Sequence, residues 1–386
     1  MALQRVGIDA TIYEAHDRPA DFVGSFLNLA SNGIDALRVI GADRGVMDAA
    51  FPTPRMVMWS GSGKRLGDVA NGIALDDGAT SQTIQRGLLH RALREEAASR
   101  GIPIVQGKRL VAASDDGTGV LASFEDGTDA RAAMLVGCDG LHSLSRRLID
   151  PDAPSPRDTG LLSLGGRAES RTLVPTPDVF HMIFGKQAFF GYTVRPSGEV
   201  YWFANLAGAD SPAHRSTSAI GPAMWKERLR ALFADDAGPA VEIIDATGED
   251  LAAYPIFDMP VVPRWHAGPM VIIGDAAHAT SPNSGQGASL AIEDAVVLAK
   301  CLRDAGDVRE AFAIYERLRR RRVERVVRYA ARIGRTKSPG PVGRWLRDLC
   351  LPVALRVFAS PTAHAWLYRH HIDWSECVAS SRRVSA

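Results

Sequence analysis

Val271-Ile-Ile-Gly-Asp-Ala-Ala-His278, continuing through Pro282 to Gly285-Gln-Gly287-Ala288 and Glu293-Asp294, is the stretch whose reading decides the fold. Residues 270–273 are apolar and largely β-branched, which suits a short strand buried on both faces. Gly274 permits a sharp turn. Asp275 then sets a carboxylate at the carboxyl edge of the sheet, where open α/β sheets bind ligands. Gly285 and Gly287 leave backbone N–H groups bare at the start of a helix, a place that favours negative charge. From Leu290, apolar residues recur at Ile292, Ala295, Val296, Ala299 and Leu302 with a helical period. Two readings stand at this point: an ordinary strand–loop–helix unit whose Asp caps the helix, or one edge of a ligand site.

Working outward, residues 7–14 read as a loop and a strand ending in Glu14. In a dinucleotide-binding βαβ unit such an acid takes ribose hydroxyls, about 20 residues after a glycine fingerprint. Thirteen residues precede Glu14, and they contain no GxGxxG; residues 1–6 read as the last turns of a helix. The expectation is that the natural chain starts upstream, with codons for a strand and phosphate loop ahead of Met1. Residues 56–59 and 64–69 flank Ser60-Gly-Ser-Gly63, a hairpin signal rather than a nucleotide loop. Ser81 or Thr83 is expected to cap a helix with apolar positions Ile84, Leu88, Leu89, Ala92, Leu93 and Ala97. Arg86 falls on its first turn, off the apolar face, as a solvated arginine or a ligand contact. Residues 102–133 alternate short strands with hairpin turns at Asp115-Asp-Gly117 and Glu125-Asp-Gly127. Met134-Leu-Val-Gly-Cys-Asp-Gly140 repeats the strand–turn logic and puts Asp139 at a sheet edge.

Gly274-Asp-Ala-Ala-His278 with Pro282, Gly285-Gln-Gly287 and Glu293-Asp294 resembles the second flavin-contacting motif of the class A FAD-dependent monooxygenases, the para-hydroxybenzoate-hydroxylase-like family. The resemblance extends to Glu14, to Arg86 in Arg86-Gly-Leu-Leu-His-Arg-Ala-Leu93, and to Cys138-Asp-Gly140. It covers residues 7–374, with Gly24 to Leu29 resembling the family's segment before the second crossover and the substrate domain matching more loosely. It implies an α/β fold: a Rossmann-like FAD-binding domain of glutathione-reductase type, an inserted, mostly antiparallel substrate sheet, and C-terminal helices. The implied domains are 1–154 and 266–336 for FAD, 155–265 for substrate, and a helical 337–386. It also implies that Glu14 takes the ribose, that Asp275 takes the ribitol, and that Pro282, Gly285, Gly287 and Ala288 cradle the ring. Arg86 would contact the flavin, and Asp139 would serve the flavin side and the pyridine-nucleotide path. The implied chemistry is reduction of FAD by NADH or NADPH, followed by hydroxylation of a small aromatic or polycyclic substrate with O2 through a flavin C4a-hydroperoxide. No catalytic side chain is named, because the cofactor carries the hard step. A flavin reductase or oxidase of the same superfamily, and a remnant with impaired FAD binding, are the competing readings.

The remaining features narrow the class. At 386 residues, with 46% hydrophobic and 23% charged residues, the chain has room for two soluble domains. A net charge of +1 gives no whole-molecule field for nucleic acid. The arginines of residues 308–332 are therefore expected to form a solvated helix face. The four cysteines stand far apart without a CxxC pair, as expected of free thiols in a reducing compartment. No apolar run approaches the roughly 18 residues of a membrane span, and no His/Cys/Asp set has metal-ligand spacing. A cytoplasmic monomer or homodimer is expected. Residues 160–166, 179–184, 189–194 and 200–206 read as strands, residues 217–233 as a helix, and Tyr192 and Trp202 as candidate pocket rings. The last dozen residues are expected to be disordered.

Overall fold

The apolar alternation of residues 157–207 builds the largest sheet. In the computed structural model, which describes residues 1–19, 21, 25–207, 220–249, 251–336, 341–358 and 364–378, that sheet has seven strands. Their order is Ala252–Asp258, Arg157–Glu169, Glu199–Ala207, Phe189–Val194, Val179–Phe184, Arg55–Ser60 and Arg65–Ala70. Neighbours are antiparallel except at one seam, where Val179–Phe184 runs parallel to Arg55–Ser60. The expected substrate segment, 155–265, therefore supplies only part of this sheet. The hairpin at residues 55–70 completes it and covers what would otherwise be an exposed strand edge.

Period-two alternation splits the sheet's side chains. One face carries Phe190, Trp202, Ala204 and Leu206 against the helices Pro222–Phe233 and Ala240–Ala246, through Trp225, Leu229, Phe233, Ile243 and Ile244. Trp202 Nε1 donates to Thr247 Oγ1 at 2.8 Å on this side. The other face carries Met56, Met58, Phe180, Met182, Phe189 and Phe203 toward a cavity. Tyr192 and Trp202, the rings expected in the pocket, are on the helix-covered face instead. Trp202 is fully buried there and Tyr192 stacks on His181 with centroids 4.8 Å apart. Strand parity, not ring size, decided which aromatics meet the cavity.

The second core surrounds the opening motif. Met270–Ile272 is flanked by a parallel Leu135–Gly137 and an antiparallel His266–Ala267. Ile12–Tyr13 pairs in parallel with Ile104–Val105 in a separate two-stranded sheet. The helices Ser31–Val39, Gly287–Asp304 and Val308–Thr336 pack around this core. Ser31–Val39 and Gly287–Asp304 approach so closely that a Cβ at Gly33 would sit 2.5 Å from Ser289 Oγ. The helix containing Arg86 runs Arg86–Ser99, with Gln85 at its N-cap position and no side-chain cap. Neither expected cap acts as one: Thr83 pairs in the strand Gln82–Gln85, and Ser81 precedes it. Strand pairing with Phe26–Leu29 took those residues before the helix could start. Residues 217–219 of the expected helix, Gly24 and residues 379–386 lie outside the described residues. No described helix is long and apolar enough to cross a membrane.

The arginine helix departs from expectation. Arg319 is 1% exposed and Arg322 is largely covered, whereas Arg328 faces solvent. The run is thus only partly a solvated face, because two of its members answer buried carboxylates.

Candidate active site

Two strand ends and one helix start form the site. Gly274 ends Met270–Ile272 with φ 59 and ψ −140, a combination that needs the absence of a Cβ. The short helix Asp275–His278 follows; its other three residues are buried, while Asp275 is exposed toward the cavity it lines. Gly285, at φ 61, delivers the chain into Gly287–Asp304, whose N-terminus opens on the same cavity through Gly285, Gly287 and Ala288. The loop is held from behind. Asp294 Oδ2 accepts from Gly274 N at 2.9 Å and lies 2.5 Å from His278 Nε2. Asp294 Oδ1 accepts from Arg319 Nε at 2.6 Å. Arg319 Nη1 is 2.7 Å from Glu293 Oε2, an ion-pair contact at an angle that does not make a hydrogen bond. Arg322 donates to both Glu293 oxygens at 2.7 and 2.8 Å, and Asn32 Nδ2 donates to Oε1 at 2.7 Å.

Burial alone would raise both carboxyls. The Arg319 and Arg322 guanidiniums overcome that and hold Glu293 down to about 2. His278 and Arg319 hold Asp294 well below the ordinary aspartate range. Two fully buried anions therefore stay charged and anchor the loop that carries Asp275.

The Asp139 turn is tied to the same loop. Asp139 accepts from Ser143 Oγ at 2.5 Å and Ser145 N at 2.8 Å, so its carboxylate caps its own turn. Buried Arg146 donates to Leu141 O and Ala276 O, both at 2.8 Å, and so bridges the two strand ends. Cys138 and Gly140 reach the cavity. Glu14 stands at the end of Ile12–Tyr13, accepting from His16 N at 2.9 Å, and does not line the cavity.

The cavity itself measures about 1210 Å³. Arg86, Asp275, Pro282, Gly285, Gly287 and Ala288 line it together with the aromatic sheet face; of the expected site residues, Glu14 and Asp139 do not. Asn283 Oδ1 and Ser284 Oγ, beside the helix start, are buried without hydrogen-bond partners. A flavin suits this corner. Its pyrimidine edge would supply polar partners for such orphaned atoms, and the helix start would favour negative charge on the ring. Asn205, Ser163 and Tyr254 also line the cavity and escaped sequence reading. The available signal was a polar Asn205 in phase with Tyr201 and Phe203 on one strand.

A model of the FAD binding domain family matches residues 1–330. The chain belongs to this family. It is a class A FAD-dependent monooxygenase, with FAD as cofactor and the NAD(P)H reductant of that class. Among its relatives, 3-amino-4-hydroxybenzoate 2-monooxygenase PtnB3 of Streptomyces platensis is 32% identical over 381 residues, covering 95% of this chain and 91% of that one. Aurachin C monooxygenase/isomerase of Stigmatella aurantiaca is 29% identical over 351 residues, 89% of this chain and 86% of the relative. The structure of Klebsiella pneumoniae HpxO complexed with FAD and uric acid shares the fold, with a TM-score of 0.83 over 95% of this chain and 92% of that chain, at 23% identity.

Proposed function

We propose that this monooxygenase hydroxylates a small aromatic or heteroaromatic substrate held between the flavin corner and the aromatic face of the seven-stranded sheet. One observation carries the reading: Asp275, Arg86 and the Gly287 helix start share a single cavity with Phe180, Phe189 and Phe203. Relatives named for hydroxybenzoate, hydroxynicotinate and urate chemistry support the substrate class. Bound FAD supplies reduction by NAD(P)H and activation of O2. The chain's own residues bind, orient and dry the site. Asp275 would hold the ribitol hydroxyls; Gly285, Gly287 and Ala288 would offer backbone N–H groups to the ring's polar edge, with Pro282 shaping the wall beside it. Arg86 contributes a cation at the cavity wall. Asp139 keeps Gly140 at the rim, and Glu14, which stands outside this cavity, would serve the ribose. The sheet's rings exclude water from the reacting face.

The test is a turnover assay of FAD-loaded protein with NADH or NADPH and a panel of phenols and hydroxypyridines, read by mass spectrometry. A product heavier by one oxygen atom, formed only with O2 and FAD, is the expected result. NAD(P)H consumption that yields peroxide and no oxygenated product across the panel would move the reading to an oxidase.

A further inference from the structure

One row of the sheet is built differently from the rest of the cavity wall. Phe189 pairs with Asn205, Asn205 with Ser163, and Ser163 with Tyr254, so four residues on four adjacent strands stand in register. All four line the cavity. Asn205 is 2% exposed, and its Oδ1 is buried without a partner. Neither amide atom of Asn205, nor the hydroxyl of Ser163 or Tyr254, hydrogen-bonds to a described residue. The neighbours of Asn205 along its strand, Ala204 and Leu206, belong to the opposite core, so parity aims the amide at the cavity. The next row is apolar and flat: Phe203 pairs with Gly165 and Gly191, and a Cβ at Gly191 would meet the Phe203 ring at 2.4 Å. A buried amide left unpaired in an apolar wall is destabilising, and a ligand that pairs it recovers that loss.

We propose that Asn205, with Ser163 and Tyr254, is the specificity-determining row of this cavity. It selects a flat aromatic substrate that carries two polar substituents on one edge while its apolar body lies on Phe203. Adjacent strands are about 4.8 Å apart. Meta-related hydroxyl, amino or ring-carbonyl groups span about that distance, so one can meet Asn205 while the other meets Ser163. Because no described residue engages either amide atom, Asn205 can present its carbonyl to a donor or its NH2 to an acceptor. This inference rests on the reading of the cavity as the monooxygenase substrate site.

The experiment is equilibrium titration calorimetry of the FAD-supplemented, oxidised protein with 1,3-dihydroxynaphthalene, 1-naphthol and naphthalene. Wild type is expected to prefer the dihydroxy compound to naphthalene by at least about tenfold, the worth of one well-made hydrogen bond. Asn205→Leu should weaken 1,3-dihydroxynaphthalene about tenfold and leave naphthalene unchanged or tighter. Its melting temperature without ligand should not fall, because a merely structural asparagine would cost stability when removed and this one should not. Asn205→Thr repeats the comparison with a side chain suited to a strand, should the leucine variant lose its fold. An unchanged preference in the folded variants, or a wild type that binds none of the three, overturns the proposal. Flavin content, read from absorbance, is scored separately. A colourless protein that keeps the ligand preference would sink the monooxygenase reading and leave the polar row standing.

Discussion

Arg319→Met is the sharpest perturbation of the loop anchor. Arg319 is 1% exposed and sits between two carboxylates that are 0% exposed, at 2.6 Å from Asp294 and 2.7 Å from Glu293. Methionine fills much of the volume, so the loss is mainly charge. Removing one partner of a buried ionic cluster costs about 3–5 kcal/mol. A second route gives a similar size. A glutamate brought from 4.5 to about 2 represents about 3 kcal/mol at 1.36 kcal/mol per pH unit, shared between Arg319 and Arg322. In wild type the folded carboxyl titrates below the unfolded one. Its contribution is therefore full above 4.5 and fades as pH falls toward about 2. Without Arg319 the buried carboxyls rise, and mild acid relieves the variant by protonating them. Urea unfolding at saturating FAD, at neutral pH and near pH 4.5, should show a gap of about 3 kcal/mol at neutral pH that narrows in acid. A gap of the same size at both values would refute the electrostatic account and leave packing as the cause.

Four further outcomes follow from the same geometry. Asp275→Ala should weaken FAD binding about tenfold, the loss of a hydrogen-bonded anion, while the apoprotein melts as before; flavin fluorescence titration with a melting scan checks both. Gly33→Ala should cost about 1–3 kcal/mol in urea unfolding, since the added carbon would meet Ser289 Oγ at 2.5 Å and push two helices apart. Gly191→Ala should lift the Phe203 ring into the cavity, raising KM for two-ring substrates more than for single-ring ones in steady-state assays. Thr247→Ala should strand Trp202 Nε1 and lower stability by about 1–2 kcal/mol without changing flavin content, measured by urea midpoint and absorbance.

The sequence was most legible where local chemistry acts alone. Gly274, Gly285 and the apolar period after Leu290 announced strand, turn and helix, and the turns at Gly63, Gly117 and Gly127 all adopt positive φ. Arg86 and Asp275 were placed on the ligand side by the resemblance alone, and both line the cavity. What stayed hidden depended on distant partners. Arg319 looked like one arginine of a run until Glu293 and Asp294 gave it a buried counter-charge. Ser81 and Thr83 carried a cap signal that strand pairing with Phe26–Leu29 outweighed. Trp202 and Phe203 are adjacent, and no local rule says which of two neighbours in a strand turns inward. Asp139 looked like a ligand contact, yet its turn takes both carboxylate oxygens.

The parallel seam between Val179–Phe184 and Arg55–Ser60 bears on how this chain can be recombined. A graft that exchanges residues 155–265 for a relative's would import five strands and leave the recipient's own hairpin to finish the sheet. Six backbone pairings across that seam, and the Met56, Met58 and Val69 side chains that line the cavity beyond it, would then come from a different ancestor than the rings they face. Chimaeras meant to transfer substrate preference should therefore carry residues 55–70 with the insert. Natural exchange between such genes faces the same linkage, so the two segments are expected to be inherited together.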